Sequence, residues 1–152
     1  MEGSLVRAWP STVRTVMILL LMNDPQLPPQ AADFLGLHSE AITVIPAPGD
    51  ADIPTRMCAA INALDPVSPL TIAAVGSAAL SLPAVARSQR AHHRRVSEYV
   101  VLDPEVPAVS DAWPDARVTV ICGVDSEASL QARLRGWDVL LPDELAEWQT
   151  ES

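Results

Sequence analysis

The chain contains no lysine. All ten of its basic residues are arginine, a bias that follows GC-rich codons and suggests a high-GC bacterial source rather than a chemical requirement. Aromatic rings are scarce, with four Trp, one Tyr and one Phe, so a core has to come from Val, Leu, Ile and Ala. The two cysteines, Cys58 and Cys122, sit in apolar contexts and form no CxxC. Two buried free thiols are expected, not a redox or thiolate–metal motif. The three histidines, His38, His92 and His93, lack a His-x-x-x-His spacing, and adjacent His92 and His93 point apart on a helix; no metal site is expected. No glycine-rich phosphate loop occurs, since "GSAAL" is neither a Walker motif nor GxGxxG. A nucleotide-binding domain is thereby disfavoured, and no cofactor is expected. The longest apolar run, "VMILLLM" at 16–22, is too short to span a bilayer. The N-terminus carries Glu2 and no signal-peptide cleavage pattern, so a soluble, cytoplasmic protein is expected. A net charge of −9 argues against nucleic acid and anionic membranes as partners.

What is present is aliphatic. The 152 residues are 49% apolar, enough for one domain with a real core. Six short apolar runs stand out, at 15–22, 41–46, 70–75, 98–104, in "RVTVICG" and in "WDVLLP". Helical segments alternate with them. One opens at Pro28 or Pro29. A second is capped by Asp52 with Pro54 in its first turn, and a third begins near Ala78 or Ala79 and runs into "VARSQRAHHRR". "SEASLQARLR" is a fourth, capped by Ser126 or Asp125, and "PDELAEW" is a last. Strand–helix alternation predicts βαβ units and a mostly parallel sheet with helices on both faces. Residues 1–14 read as an extension and 15–149 as the domain.

The pieces arrive in an order that resembles the α/β-hydrolase fold, and within it the small thioesterases of polyketide and peptide assembly lines. "VMILLLMND" resembles the strand leading to the oxyanion loop, and "ITVIPAPGD" the next strand and its turn. "PLTIAAVGSAALSLPAVA" resembles the segment that carries Gly-x-Ser-x-Gly. "RRVSEYVVLDP" resembles the following strand, "VTVICGVDSE" the strand that delivers the acid, and "RGWDVLLPDEL" the last strand. The likeness covers about residues 15–148. It implies a single doubly wound α/β domain with six strands ordered 2-1-3-4-5-6, lidless and without the family's first two antiparallel strands.

Against that resemblance the catalytic groups fall short. With Gly76 matched to the first glycine of the motif, Ala78 stands at the nucleophile and Leu80 at the second glycine. The neighbouring register, with Ser77 as nucleophile, puts β-branched Val75 at a crowded position; Ser77 otherwise reads as a capping hydroxyl for the next helix. Asp125 matches the family's acid and reads equally as a helix cap. No histidine follows the last strand, and the three present lie elsewhere, so a Ser-His-Asp triad cannot be assembled. Met22 and Asn23 occupy the oxyanion-loop positions.

These readings give Asp125, Asp103 and Ser77 as candidate catalytic groups. Asn23, Met22, Gly76 and Ala78 are candidate ligand-binding positions, at the strand C-termini where the strand order reverses. Arg87, Arg90, Arg94 and Arg95 concentrate positive charge at the end of a helix, where they answer the helix dipole or form a docking patch for an acidic partner. The expected function is that of a degenerate, non-hydrolytic accessory protein of natural-product biosynthesis. It would bind a small-molecule or carrier-bound acyl intermediate, a protein partner or a second copy of itself. Two alternatives remain open: a nucleophile-independent cyclase, lyase or isomerase using Asp125 or Asp103, and a thioesterase or esterase using Ser77.

Overall fold

The structure, a computed structural model, describes residues 15–22, 40–103, 105–107, 113–122 and 127–140. The helices expected from Pro28 and in "PDELAEW", and residues Asn23, His38, Asp125 and Ser126, lie outside these. Six strands form one sheet in the order β2-β1-β3-β4-β5-β6: β1 (Val16–Leu20), β2 (Ile42–Val44), β3 (Leu70–Val75), β4 (Val96–Leu102), β5 (Arg117–Ile121) and β6 (Asp138–Leu140). Every pairing is parallel. This is the order and the strand direction expected from the sequence. Central β3 is buried along its whole length, as a strand covered on both faces should be. Its small Ala73 and Ala74 sit beside the larger Val100 and Val101 of β4.

Three helices are described: α1 (Ile53–Leu64), α2 (Leu82–Ala91) and α3 (Glu127–Leu134). Helix α1 starts where the sequence says it should. The Thr55 N–H donates to Asp52 Oδ1 at 2.9 Å, Pro54 lies in the first turn, and the helix ends on Asp65 in a left-handed conformation, φ 51°. The start of α2 differs from expectation. A 3-10 helix runs from Gly76 to Ser81, and the α-helix begins only at Leu82. Pro83 supplies the reason: it has no N–H to give the Ala79 carbonyl, and its ring crowds that oxygen. The Ala79 carbonyl accepts instead from the Leu82 N–H, three residues on.

All three helices pack on one face of the sheet. Met57 and Ile61 of α1, Leu82, Val85 and Ala86 of α2, and Ala132 of α3 share a cluster with Ile18, Ile72, Ala74, Tyr99, Val101 and Val120. Crossovers that advance across a sheet in one direction fall on one face when all are right-handed, and β2→β3, β3→β4 and β5→β6 advance the same way. The connection that reverses direction, β1→β2, lies outside the described residues. The opposite face, with Leu19, Ala73, Val100 and Leu102, is buried as well, and no described helix packs on it.

The helix-bearing core also holds most of the described aromatic residues. Tyr99 and Trp113 are fully buried. Their rings meet edge-to-face at 5.6 Å, and Trp113 meets Trp137 in the same way at 5.2 Å. The Tyr99 hydroxyl donates to Asp115 Oδ1 at 2.6 Å, and Arg90 pairs with Asp115 Oδ2 at 3.0 Å. Burial first, then the bond to and the charge of Asp115, push the phenol far above its ordinary pKa of 10.0. The folded state therefore keeps the proton while the unfolded chain loses it near pH 10. Stability is undiminished below that pH and falls above it by about 1.4 kcal/mol per pH unit. Cys58, whose thiol burial also raises, acts with the same sign. Because the chain has a single tyrosine, tyrosinate absorbance should appear only together with alkaline unfolding, and Tyr99→Phe should flatten most of the slope.

Candidate functional site

The strand C-termini converge on the end of β3. Val75 is still extended, φ −112° and ψ 128°, and the chain reverses at Gly76, φ +58°. This left-handed residue makes the sharp bend from β3 into the 3-10 helix. Around it lie Ala74 two residues before and Ala78 two residues after, both fully buried, the spacing of small residues that keeps crowded backbones apart. Ala78, read from the sequence as the residue at the nucleophile position and a ligand-binding candidate, is fully buried in the helix-bearing core, and the left-handed backbone falls on Gly76. A Cβ built on Gly76 meets no atom within 4 Å, so the space beside the turn is open. Gly76→Ala should cost about 1 kcal/mol, from the left-handed backbone alone and without a clash; urea unfolding of the two proteins measures it.

Ser77 follows on the 3-10 helix, half-buried, and its side chain caps neither that helix nor α2, contrary to the capping role expected of it. The described histidines stand far from it. His92 and His93 terminate α2, and His92 Nδ1 lies 2.9 Å from the Ser88 carbonyl oxygen. Met22 lies two residues past the end of β1 and packs against the helix-bearing core.

Asp103 directly follows β4, the strand beside β3, in a left-handed conformation with φ 44°. Its N–H donates to the Ile121 carbonyl at 2.8 Å, and two residues on the Glu105 N–H donates to the Gly76 carbonyl at 3.1 Å. The loop after β4 is thereby fastened to the turn. Gly76, Ser77, Asp103 and Glu105 gather at the C-terminal end of the two central strands. Glu105 was hidden in the sequence inside a proline-rich connection, and the one signal for it was its position directly after the Asp-Pro that ends the strand. Beyond it an open groove of about 390 Å³ runs between Glu105 and Val106 on one side and Glu127, Ala128, Gln131 and Arg135 on the other. Arg135 closes it by donating to the Pro107 carbonyl at 2.7 Å and lying 5.1 Å over the Trp137 ring. Among the described residues no group of His, Cys, Asp and Glu could hold a metal ion, and no described helix is long and apolar enough to cross a membrane.

The arginine cluster divides. Arg94 turns inward, 9% exposed. It donates to Asn62 Oδ1 and Gln89 Oε1 at 3.0 Å each, and to Asp65 Oδ1 at 2.8 Å. It joins the ends of α1 and α2, and a docking role for it is corrected on that ground. Arg90 is engaged with Asp115. Arg87 and Arg95 face solvent.

Two solved structures resemble this fold. One is the NocB thioesterase domain from the nocardicin cluster, 13% identical, matched over 85% of this chain and 82% of that one with a TM-score of 0.50. The other is a covalent complex of the NocB thioesterase domain with a fluorophosphonate nocardicin G analogue, also 13% identical, matched over 93% and 94% with a TM-score of 0.51. The fold is thioesterase-like. At this identity the likeness speaks for the fold alone. No family model and no curated protein matches the chain.

Proposed function

We propose that this protein is a non-hydrolytic relative of the thioesterase-like fold, an accessory or binding protein of bacterial natural-product biosynthesis working in the cytoplasm. The observation that carries the reading is Gly76. The bend after β3 carries no side chain at Gly76, so that residue has no oxygen or sulfur with which to attack an acyl carbon. Ser77, the nearest hydroxyl, has no described imidazole to take its proton. What remains at the strand C-termini is a shaped, open edge with backbone N–H groups and the Asp103 carboxylate. Such an edge suits holding a small-molecule or carrier-bound acyl intermediate, and a site that works without a triad suits a protein that presents or shields it. The biosynthetic setting rests on the structural neighbours, one of them described as coming from the nocardicin cluster.

A fluorophosphonate probe and a set of p-nitrophenyl and thioester substrates test the reading directly. No labelling and no turnover above buffer are expected, for wild type and for Ser77→Ala alike. Turnover that disappears in Ser77→Ala would overturn it and restore an ordinary hydrolase.

A second reading, a cyclase, lyase or isomerase that needs no nucleophile, draws on Asp103. Its left-handed backbone sets it at the edge beside the Gly76 turn, where a fixed carboxylate could act as general acid or base. Conversion of a pathway intermediate by wild type, lost in Asp103→Asn or Asp125→Asn, would favour this reading; full retention in both would remove it.

A further inference from the structure

The chain's charge is strongly segregated. The longest stretch without any of its 19 acidic residues lies between Asp65 and Glu98, and it holds four of the ten arginines and two of the three histidines. In the fold these cations collect where α1 and α2 end, at the start of the strands. Two arginines are answered there, Arg90 by Asp115 and Arg94 by Asp65. Arg87, Arg95, His92 and His93 remain exposed. The same corner carries apolar surface, with Val67 75% and Leu64 40% exposed. The loop bearing Val67 is fastened to the basic segment at both ends: Arg94 holds Asp65, and the Leu70 N–H donates to the Arg95 carbonyl at 2.8 Å. An apolar knob therefore stands beside a basic rim, on a protein that is otherwise acidic.

We infer that this corner is a docking surface for an acidic segment of a protein partner that also carries an apolar anchor. The inference rests on the binding-protein reading above and refines it. The rim selects carboxylates by charge, and Val67 with Leu64 supplies the desolvated contact that charge alone does not give. Its place in the fold says what such a partner does. The corner lies at the N-terminal end of β3 and the Gly76 turn at the other end, six residues away, or about 20 Å along the strand. A partner seated here leaves the turn uncovered. It tethers the protein, and a ligand at the strand C-termini binds independently of it.

The test uses the full chain and a fluorescent synthetic helix with one glutamate face and one leucine face. A polyglutamate peptide and a single-stranded oligonucleotide of equal charge serve as comparisons. Wild type is expected to bind the amphipathic peptide best, more weakly as salt rises. The double variant Arg87→Glu/Arg95→Glu should weaken binding at least about tenfold, and Val67→Ser severalfold. Circular dichroism verifies that each variant is folded, and Val67→Ser alone keeps the test alive if charge reversal disturbs the fold. Equal affinity in wild type and the double variant would overturn the inference. So would preference for the oligonucleotide, equal binding of polyglutamate, or a wild-type dimer dissolved by Arg95→Glu. Ester turnover assayed on the same preparations reports on the binding-protein reading separately, so either idea can fail alone.

Discussion

Trp113→Ala should destabilise the protein by about 3–5 kcal/mol, the range for removing a buried aromatic side chain from a packed core. For a chain of this size that lowers the melting temperature by very roughly 6–20 °C. The residue is fully buried and stands between Tyr99 and Trp137, edge-to-face with both, so its loss opens a cavity and removes two ring contacts at once. It also ties the segment before β5 to the sheet and to α3, because Ala132 and Trp137 belong to the same packed group. Trp113→Phe should recover a large part of the loss. Thermal melts followed by near-ultraviolet circular dichroism check both; a Trp113→Ala protein that melts like wild type would mean the ring is not a core residue.

Arg94→Met should cost about 2–3 kcal/mol, while Arg95→Ala, one residue on, stays within about 0.5 kcal/mol of wild type. Methionine keeps much of the packing of the arginine stem but none of its donors. It leaves the Gln89 Oε1 without its Arg94 donor, on a side chain that is fully buried and whose Nε2 finds no partner among the described residues either. Arg94→Lys should rescue little, since a compact ammonium does not span the Asn62, Gln89 and Asp65 acceptors as the planar guanidinium fork does. Urea titration of the three variants decides the matter, and an Arg95→Ala loss as large as that of Arg94→Met would refute the division of the cluster.

These two residues also mark where the sequence was readable. The strands could be found because each is a short, nearly unbroken apolar run, and their order followed from the resemblance. The Asp52 cap was equally plain, since a cap needs only its own neighbours in sequence; of the two thiols expected to be buried, Cys122 is and Cys58 is half-buried. Arg94 and Arg95 look alike as letters. Which of them turns inward depends on Asn62 and Asp65, some thirty positions away. Trp113 looked like part of a proline-rich connection, and only the assembled sheet gives it a core to enter. The turn after β3 could be placed from the sequence, but a pattern of small residues can be laid on "AAVGSAAL" in more than one register, and that Gly76 carries the positive φ is visible only in the backbone.

The 3-10 segment after that turn has an electrostatic consequence. A hydrolase bend hands its reacting oxygen to the positive pole of an α-helix that begins at once. Here six residues at about 2.0 Å rise intervene, so the first α-helical turn of α2 starts roughly 12 Å along the chain. A helix pole acts strongly only within its own first turn, and the poorer hydrogen-bond alignment of the tighter coil replaces little of it. Grafting a hydroxyl onto position 76 would therefore supply an atom without the field that stabilises its alkoxide, and Gly76→Ser should gain no esterase activity.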